Sequence, residues 1–206
     1  MTVLAWHFLP RDRRLGHDDG RLVRKGRTLR VKGEPVLCLH GMHGSRRLIN
    51  ALNNAPGPII ERVEIGADEP YKIIENKGKL VGNWRKTLWW MDATTILHEF
   101  ACREAEDALR DAGVTDERCW SAIRVKRLWI EGKATDNELD EAREAANNDV
   151  SEPIAQAAVI AAIPDAAWSA VVVAVQVAPC DTARNTARAR QNRRLTAMVC
   201  AAHRKN

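Results

Sequence analysis

At 206 residues, 45% of them hydrophobic and 29% charged, the chain is too apolar for a disordered segment and long enough for one large domain or two small ones. The longest nearly apolar run, residues 166–178, is broken by Ser169 and Gln176 and is too short to cross a bilayer, which excludes a spanning helix. Five scattered cysteines (Cys38, Cys102, Cys119, Cys180 and Cys200) are expected as free thiols rather than a disulfide framework, and the start of the chain shows neither a basic lead nor a cleavage site. The expected location is therefore the cytoplasm, with no membrane partner.

The net charge of +5 is unevenly spread: +8 over residues 1–90, −7 over 91–149 and +4 over 150–206. Such alternation brings opposite segments together or turns a basic face to an acidic partner. The candidate partner-binding cations are Arg24, Lys25 and Arg27 early in the chain and Arg188, Arg190, Arg193 and Arg194 near its end.

Residues 2–9 (TVLAWHFL) read as a strand with Trp6 and Phe8 on one face and His7 on the other, ended by Pro10. Residues 11–20 are turn material, and residues 21–31 alternate basic and apolar side chains as a hairpin or edge strand would. Residues 34–39 (EPVLCL) read as a short buried strand leading into a turn, His40-Gly41-Met42-His43-Gly44-Ser45. Ser45 is placed to cap a short helix through about Asn53, with Leu48, Ile49 and Leu52 inward. Residues 59–65 alternate as a strand, and residues 71–74 and 80–90 add more. The first part is thus a small α+β unit of four to six strands with one short helix.

The middle is helical and clearly punctuated. Asp92 or Thr94 caps a helix that stops at Gly113; Thr115 starts a second that Gly132 ends; Thr135-Asp136-Asn137-Glu138 is a capping box for a third. Ser151-Glu152-Pro153 is another start signal, Pro164 a break and Asp165 a restart. The valine run 171–173 is β-branched but follows an Ala-rich lead, which favours a buried helix. Asp181 or Thr182 caps a last helix to about Ala202 with its arginines mainly outward. The expected fold class is α+β, with a mixed or antiparallel-sheet domain over residues 1–90 and a helical bundle over residues 91–206.

Two resemblances follow from these residues. Leu37, Cys38, Gly41 and His43, with the short helix, Ala55-Pro56-Gly57 and residues 61–65, resemble a Leu-Cys-x-x-Gly-x-His segment. That segment belongs to the amino-terminal domain of an uncharacterised family of tailed phages and prophages. Residues 120–123, 127–129, 131–135 and 138–139, with the Ala-rich helices and residues 191–195, are similar to a helical family described as immunity proteins beside bacterial toxins. Pro164, Pro179 and the valine run depart from that family's Ala/Arg repeat. Both resemblances imply a phage or mobile-element accessory protein, and neither supplies a catalytic residue.

The candidate chemistry gathers at Cys38, His40 and His43. With His98 and Cys102, one helical turn apart, they form an N/S ligand set of the kind zinc takes, although the spacing matches no standard zinc motif. The competing reading is a turn whose histidines bond backbone groups, with Cys38 and Cys102 as small buried residues, so no cofactor is expected. A second enzymatic reading takes Cys38 or Ser45 as nucleophile with His40 or His43 as base, and a related one sets nucleotide-linked transfer in a cleft of the α+β unit, with His7 and His43 on neighbouring strands. ADP-ribosyltransferases are the fold-level analogy, without a complete signature. No group to orient the base is marked by a motif. Most of the seven tryptophans are expected as core anchors, while exposed ones, with the arginines, would mark a protein interface on the outer surface. The leading expectation is an accessory protein that binds a host protein or ribonucleoprotein, as a counter-defence inhibitor of the anti-CRISPR kind would. Nucleic acid is the alternative partner for the basic patches, and an all-Ala helix face would serve equally as core or as a homo-oligomer seam.

Overall fold

The structure, a computed structural model, describes residues 2–16, 19–147, 156–176 and 181–205. It divides into two compact units, Met1–Ala93 with His203–Asn206, and Thr94–Ala202. The class is α+β: an antiparallel sheet in the N-terminal part, helices in the C-terminal part.

The sheet contains β1 (Thr2–Leu9), β2 (Thr28–Arg30), β3 (Met42–Ser45), β4 (Ile59–Gly66), β5 (Ile74–Asn76), β6 (Lys79–Gly82) and β7 (Trp84–Asp92) in the order β2-β7-β4-β1-β3-β6-β5. Its centre is long and regular, because β1 pairs with β4 over its whole length, from Thr2↔Gly66 to Leu9↔Ile59. One β-bulge, between Arg62 and Val63, interrupts the β4–β7 ladder. One face of these strands carries Ala5, His7 and Leu9 on β1 and Ile59, Glu61, Val63 and Ile65 on β4, by alternation. Leu9 and Ile59 join Val23, Leu29 and Met42 in one apolar cluster, and Ala5, Val63 and Ile65 join Leu80 in another. His7 and Glu61 are register partners and sit between the two clusters. The helix α1 (Leu48–Leu52) packs on β1 and β3 and buries Leu48, Ile49 and Leu52, as its spacing predicts.

Several local expectations are corrected. Residues 34–39 are not a strand: Val36 and His40 bridge to close a tight turn, Cys38 has a left-handed φ of 65°, and Leu39 is 84% exposed. The strand lies just beyond, at Met42–Ser45, in the stretch expected to be turn. The reason is close approach, since a Cβ on Gly44 would lie 2.7 Å from Ile65 Cδ1 and one on Gly41 2.8 Å from the Gly82 carbonyl oxygen. Only glycine lets this chain enter the sheet there. Ser45 accordingly ends β3, and the cap position of α1 is Arg47, with no side-chain cap bond. The strand expected at residues 71–74 lies at 74–76 as β5, and the one expected at 80–90 is split into β6 and β7, so the sheet has seven strands rather than six at most.

The helical unit follows its punctuation. α2 (Thr94–Asp111) ends before Gly113, whose φ is 67°; Asp92 is the last residue of β7 and Thr94 the first of the helix. α3 (Glu117–Ile130) is capped by Asp116, which accepts from the Arg118 N–H, rather than by Thr115. α4 (Asp136–Asn147) starts from the Thr135/Glu138 box, with both reciprocal bonds formed, at 2.7 and 3.2 Å. α5 (Gln156–Ala161) and α6 (Ala166–Gln176) meet at Pro164, and Asp165 Oδ1 accepts from the Trp168 N–H at 2.7 Å. The valine run is helical. α7 spans Asp181–His203. The expected start at residues 151–153 lies outside the described residues, as do Pro179 and Cys180.

α3 lies between two apolar clusters. Trp120 packs on the one built from α2, α3, α5 and α6; Trp129, nine residues on, packs on the one built from α3, α4 and α5. Half a turn of phase separates them, so each tryptophan serves a core of its own. Among the described residues no helix is long and apolar enough to cross a membrane.

Candidate functional site

The site arises where the sheet is least complete. β1 and β3 share a single register position, Trp6↔Ser45. A pocket of about 520 Å³ opens at this fork. Its walls come from His7 and Phe8 of β1, the residues of β3, Asn54 after α1 and Lys79 of β6. The segment before β3 closes it, with Leu15, Asp19, Val31, Cys38 and His40.

Behind it lies a charged group with no exposure to spare. Glu61 is 0% exposed and Arg85 3%, and Arg85 Nη2 lies 3.1 Å from Glu61 Oε1 at an angle too poor for a hydrogen bond. Thr87 donates its hydroxyl to Glu61 Oε2 at 2.8 Å, and His7 Nδ1 lies 2.9 Å from Oε1. Burial alone would raise the Glu61 carboxyl; Arg85, the bond from His7 and the Thr87 hydroxyl outweigh it and hold the group down to about 2. Burial pushes His7 the other way for an imidazole, down to about 4, with Arg85 adding to the push and Glu61 only partly opposing it. At neutral pH Glu61 is therefore an anion and His7 a neutral ring. An anion can only accept, so Nδ1 carries the proton and Nε2 keeps its lone pair. His7 retains 26% of its side-chain surface and lines the pocket.

Of the expected site residues, Cys38, His40, His43 and Ser45 line the same pocket as His7. Arg85 Nη1 donates to the His43 carbonyl oxygen at 2.7 Å, which fixes β3 against β7's side chains. His43 Nε2 accepts from the Cys38 backbone N–H at 3.1 Å, and His40 Nε2 donates to the Lys32 carbonyl at 2.7 Å. Both rings thus bond backbone groups in and before the turn. Cys38 is exposed and lines the pocket, and Ser45 lines it too, at 4% exposure. Lys79 Nζ donates to Asn54 Oδ1 at 3.3 Å on another wall.

His98 and Cys102 belong to α2 of the helical unit. His98 is buried with its ring edge-on to Trp129 at 5.4 Å; Cys102 lies in an apolar cluster, where burial pushes its thiol up to about 12. The five-residue ligand set is therefore divided between the two units. Among the described residues no group of three or more His, Cys, Asp or Glu is placed to hold a metal ion.

Of the expected partner-facing cations, Arg24, Lys25, Arg27, Arg190 and Arg193 are exposed. Arg194 is committed inward: it donates to Glu104 at 2.8 Å and to Asp107 at 2.6 Å, both on α2.

Glu61 and Arg85 were missed by reading for motifs. The signal available was parity: Glu61 stands in the row Ile59, Val63, Ile65, and His7 in the row Ala5, Leu9, single polar residues in otherwise apolar rows. Compared with family models, with curated proteins and with solved structures, the chain matches none.

Proposed function

We propose that the N-terminal unit binds a polar, ring-bearing small molecule of nucleoside or nucleotide size and acts on it with His7 as general base. The observation that carries this reading is the 2.9 Å His7–Glu61 pair on the wall of a pocket of about 520 Å³. That volume lies in the usual range for small-ligand sites, and the mixture of apolar walls with a few convergent polar groups is typical of them. Phe8, Leu15, Val31 and Met42 suit a ring, while Asn54 and Lys79 suit its polar or acidic substituents.

The chemistry follows from the proton inventory. The Nε2 lone pair of neutral His7 accepts a proton from a ligand hydroxyl or amine. The imidazolium so formed lies beside the Glu61 anion, which partly offsets the burial and the Arg85 charge that disfavour it, and Arg85 keeps that anion ionised. Glu61 is the orienting group that no neighbour in sequence supplies. On this reading the chemistry takes place in the pocket, whereas the sequence led to an expectation of recognition by the outer surface. In a phage or mobile-element accessory protein, the role the resemblances imply, the target would be a nucleotide or nucleic acid of the host.

A panel of nucleosides and nucleotides, followed by thermal shift and by mass spectrometry of the products, tests this. At least one member raises the melting temperature of the wild type and is converted. His7→Gln, which keeps a donor for Glu61, lowers turnover by about 10² or more while binding changes little. A panel in which nothing binds, or a His7→Gln variant as fast as the parent, overturns it.

A further inference from the structure

The segment that closes the pocket is also the most basic part of the unit. Residues 11–30 hold eight Lys/Arg against three Asp. Ahead of β2, Arg14 bridges Leu22, the Leu15 N–H donates to the Arg21 carbonyl, and the Val23 N–H to the Arg13 carbonyl. The acidic residues described here are used locally: Asp12 accepts from the Arg14 N–H, and Asp19 pairs with Arg21 at 2.6 Å. Arg24, Lys25 and Arg27 form an exposed turn and make no ion pair with any described residue.

This turn is anchored one residue from the buried pair. The Gly26 N–H donates to the Thr87 carbonyl at 2.7 Å, and the Thr87 N–H to the Arg27 carbonyl at 3.2 Å. The hydroxyl of the same Thr87 holds Glu61. In sheet order the turn, β7, β4 and β1 follow one another, so three strand spacings separate it from His7, about 14 Å. That is a few nucleotides at the ~3.4 Å rise of stacked bases. Protection of a sheet edge does not explain these cations. β2 is only three residues long, and the charge is concentrated in the turn before it.

We propose that the pocket receives one nucleotide of a single-stranded nucleic acid whose phosphates lie on the turn Arg24-Lys25-Gly26-Arg27. The proposal rests on the nucleotide-directed reading of the pocket and names the substrate as a strand rather than a free nucleotide. An acidic peptide would be drawn to the same cations, but it offers nothing that suits a nucleoside-sized pocket lined by Leu15 and Asp19 of the same segment.

The test is fluorescence anisotropy with a labelled single-stranded oligonucleotide of about 12 nucleotides, a length within usual single-strand site sizes. Binding is measured from about 50 to about 200 mM salt, for the wild type and for the variant Arg24→Gln/Lys25→Gln/Arg27→Gln. Neutralising three phosphate contacts removes about 2 from the slope of log affinity against log salt. The wild type therefore loses about 20-fold more affinity than the variant over that range. Binding of the panel's mononucleotide ligand is the same in both proteins. Equal slopes for the two proteins, or a preference for polyglutamate over the oligonucleotide, overturn the proposal and leave the pocket reading intact. A wild type that binds neither oligonucleotide nor mononucleotide removes both.

Discussion

Arg85 pairs with Ile65 in the β4–β7 ladder, yet its guanidinium runs past Thr87 to lie 3.1 Å from Glu61, four residues further along β4. The pair is shut off from solvent, so each charge depends on the other. Removing one partner of such a pair costs about 3–5 kcal/mol, because the survivor stays buried and uncompensated. Arg85→Met is expected to lose about that much in urea denaturation. Glu61→Gln/Arg85→Met, with both charges gone, recovers most of it. A double variant no more stable than Arg85→Met would contradict the account.

The two acid-side groups act in separate pH windows. His7 binds its proton near pH 4 in the folded protein, while an ordinary histidine in the unfolded chain binds one near 6.5. Between these values the unfolded state holds the extra proton, so stability falls as pH drops from about 6.5 to about 4. Glu61, depressed to about 2, contributes stability that is complete above the ordinary glutamate range and lost as pH falls from about 4.3 towards 2. His7→Gln is therefore expected to flatten the upper window alone. Urea titrations at half-unit pH intervals, comparing the slopes of the two proteins, check this, and an unchanged slope above pH 4.5 would count against the neutral imidazole.

The helical unit was legible because its signals are local. The Thr135/Glu138 box, Gly113, Gly132 and the Pro164–Asp165 break each act within one turn of chain, and the structure uses all of them. The sheet was legible only where strands are long, as at residues 2–9 and 59–65. Residues 34–45 were misread because apolar Val36, Leu37 and Leu39 look like a strand, whereas pairing went to the stretch whose glycines allow contact with Gly82 and Ile65. That decision belongs to distant residues. The same holds for the site: parity marks His7 and Glu61 as odd in their rows, but only the β1–β4 register makes them partners. Arg85 adds a diagonal reach that no alternation rule predicts.

Lys126 on α3 is wholly buried, its Nζ donating to the Ile163 carbonyl at 2.8 Å and lying 4.0 Å over the Trp129 ring. Burial lowers it to about 8, against about 10.4 for a lysine in the unfolded chain. Between these values the unfolded state binds the extra proton, so the wild type gains stability as pH rises from about 8 to about 10.4. Lys126→Met carries no titrating group and is expected to lose that rise. Its stability at pH 7 reports whether the apolar replacement offsets the loss of the bond to Ile163. Denaturation at pH 7, 9 and 10 distinguishes the cases, and a rise that persists in the variant would assign it to another group.

Gly41 and Gly113 both have positive φ, at 129° and 67°, but their surroundings differ. A Cβ on Gly113 meets nothing within 4 Å, so Gly113→Ala carries the cost of a left-handed residue alone, about 1–2 kcal/mol. A Cβ on Gly41 would sit 2.4 Å from Val81 Cγ2 and 2.8 Å from the Gly82 carbonyl oxygen, both on β6. The backbone oxygen cannot swing away as a side chain would, so the Met42↔Gly82 register must open. Gly41→Ala is expected to cost about 3 kcal/mol or more, combining strain with overpacking. Since β3 supplies one wall of the pocket, the same variant is expected to bind the pocket's ligand more weakly, whereas Gly113→Ala, in the helical unit, leaves binding unchanged. Equal costs for the two alanine variants would show that close approach to β6 is not what reserves position 41 for glycine.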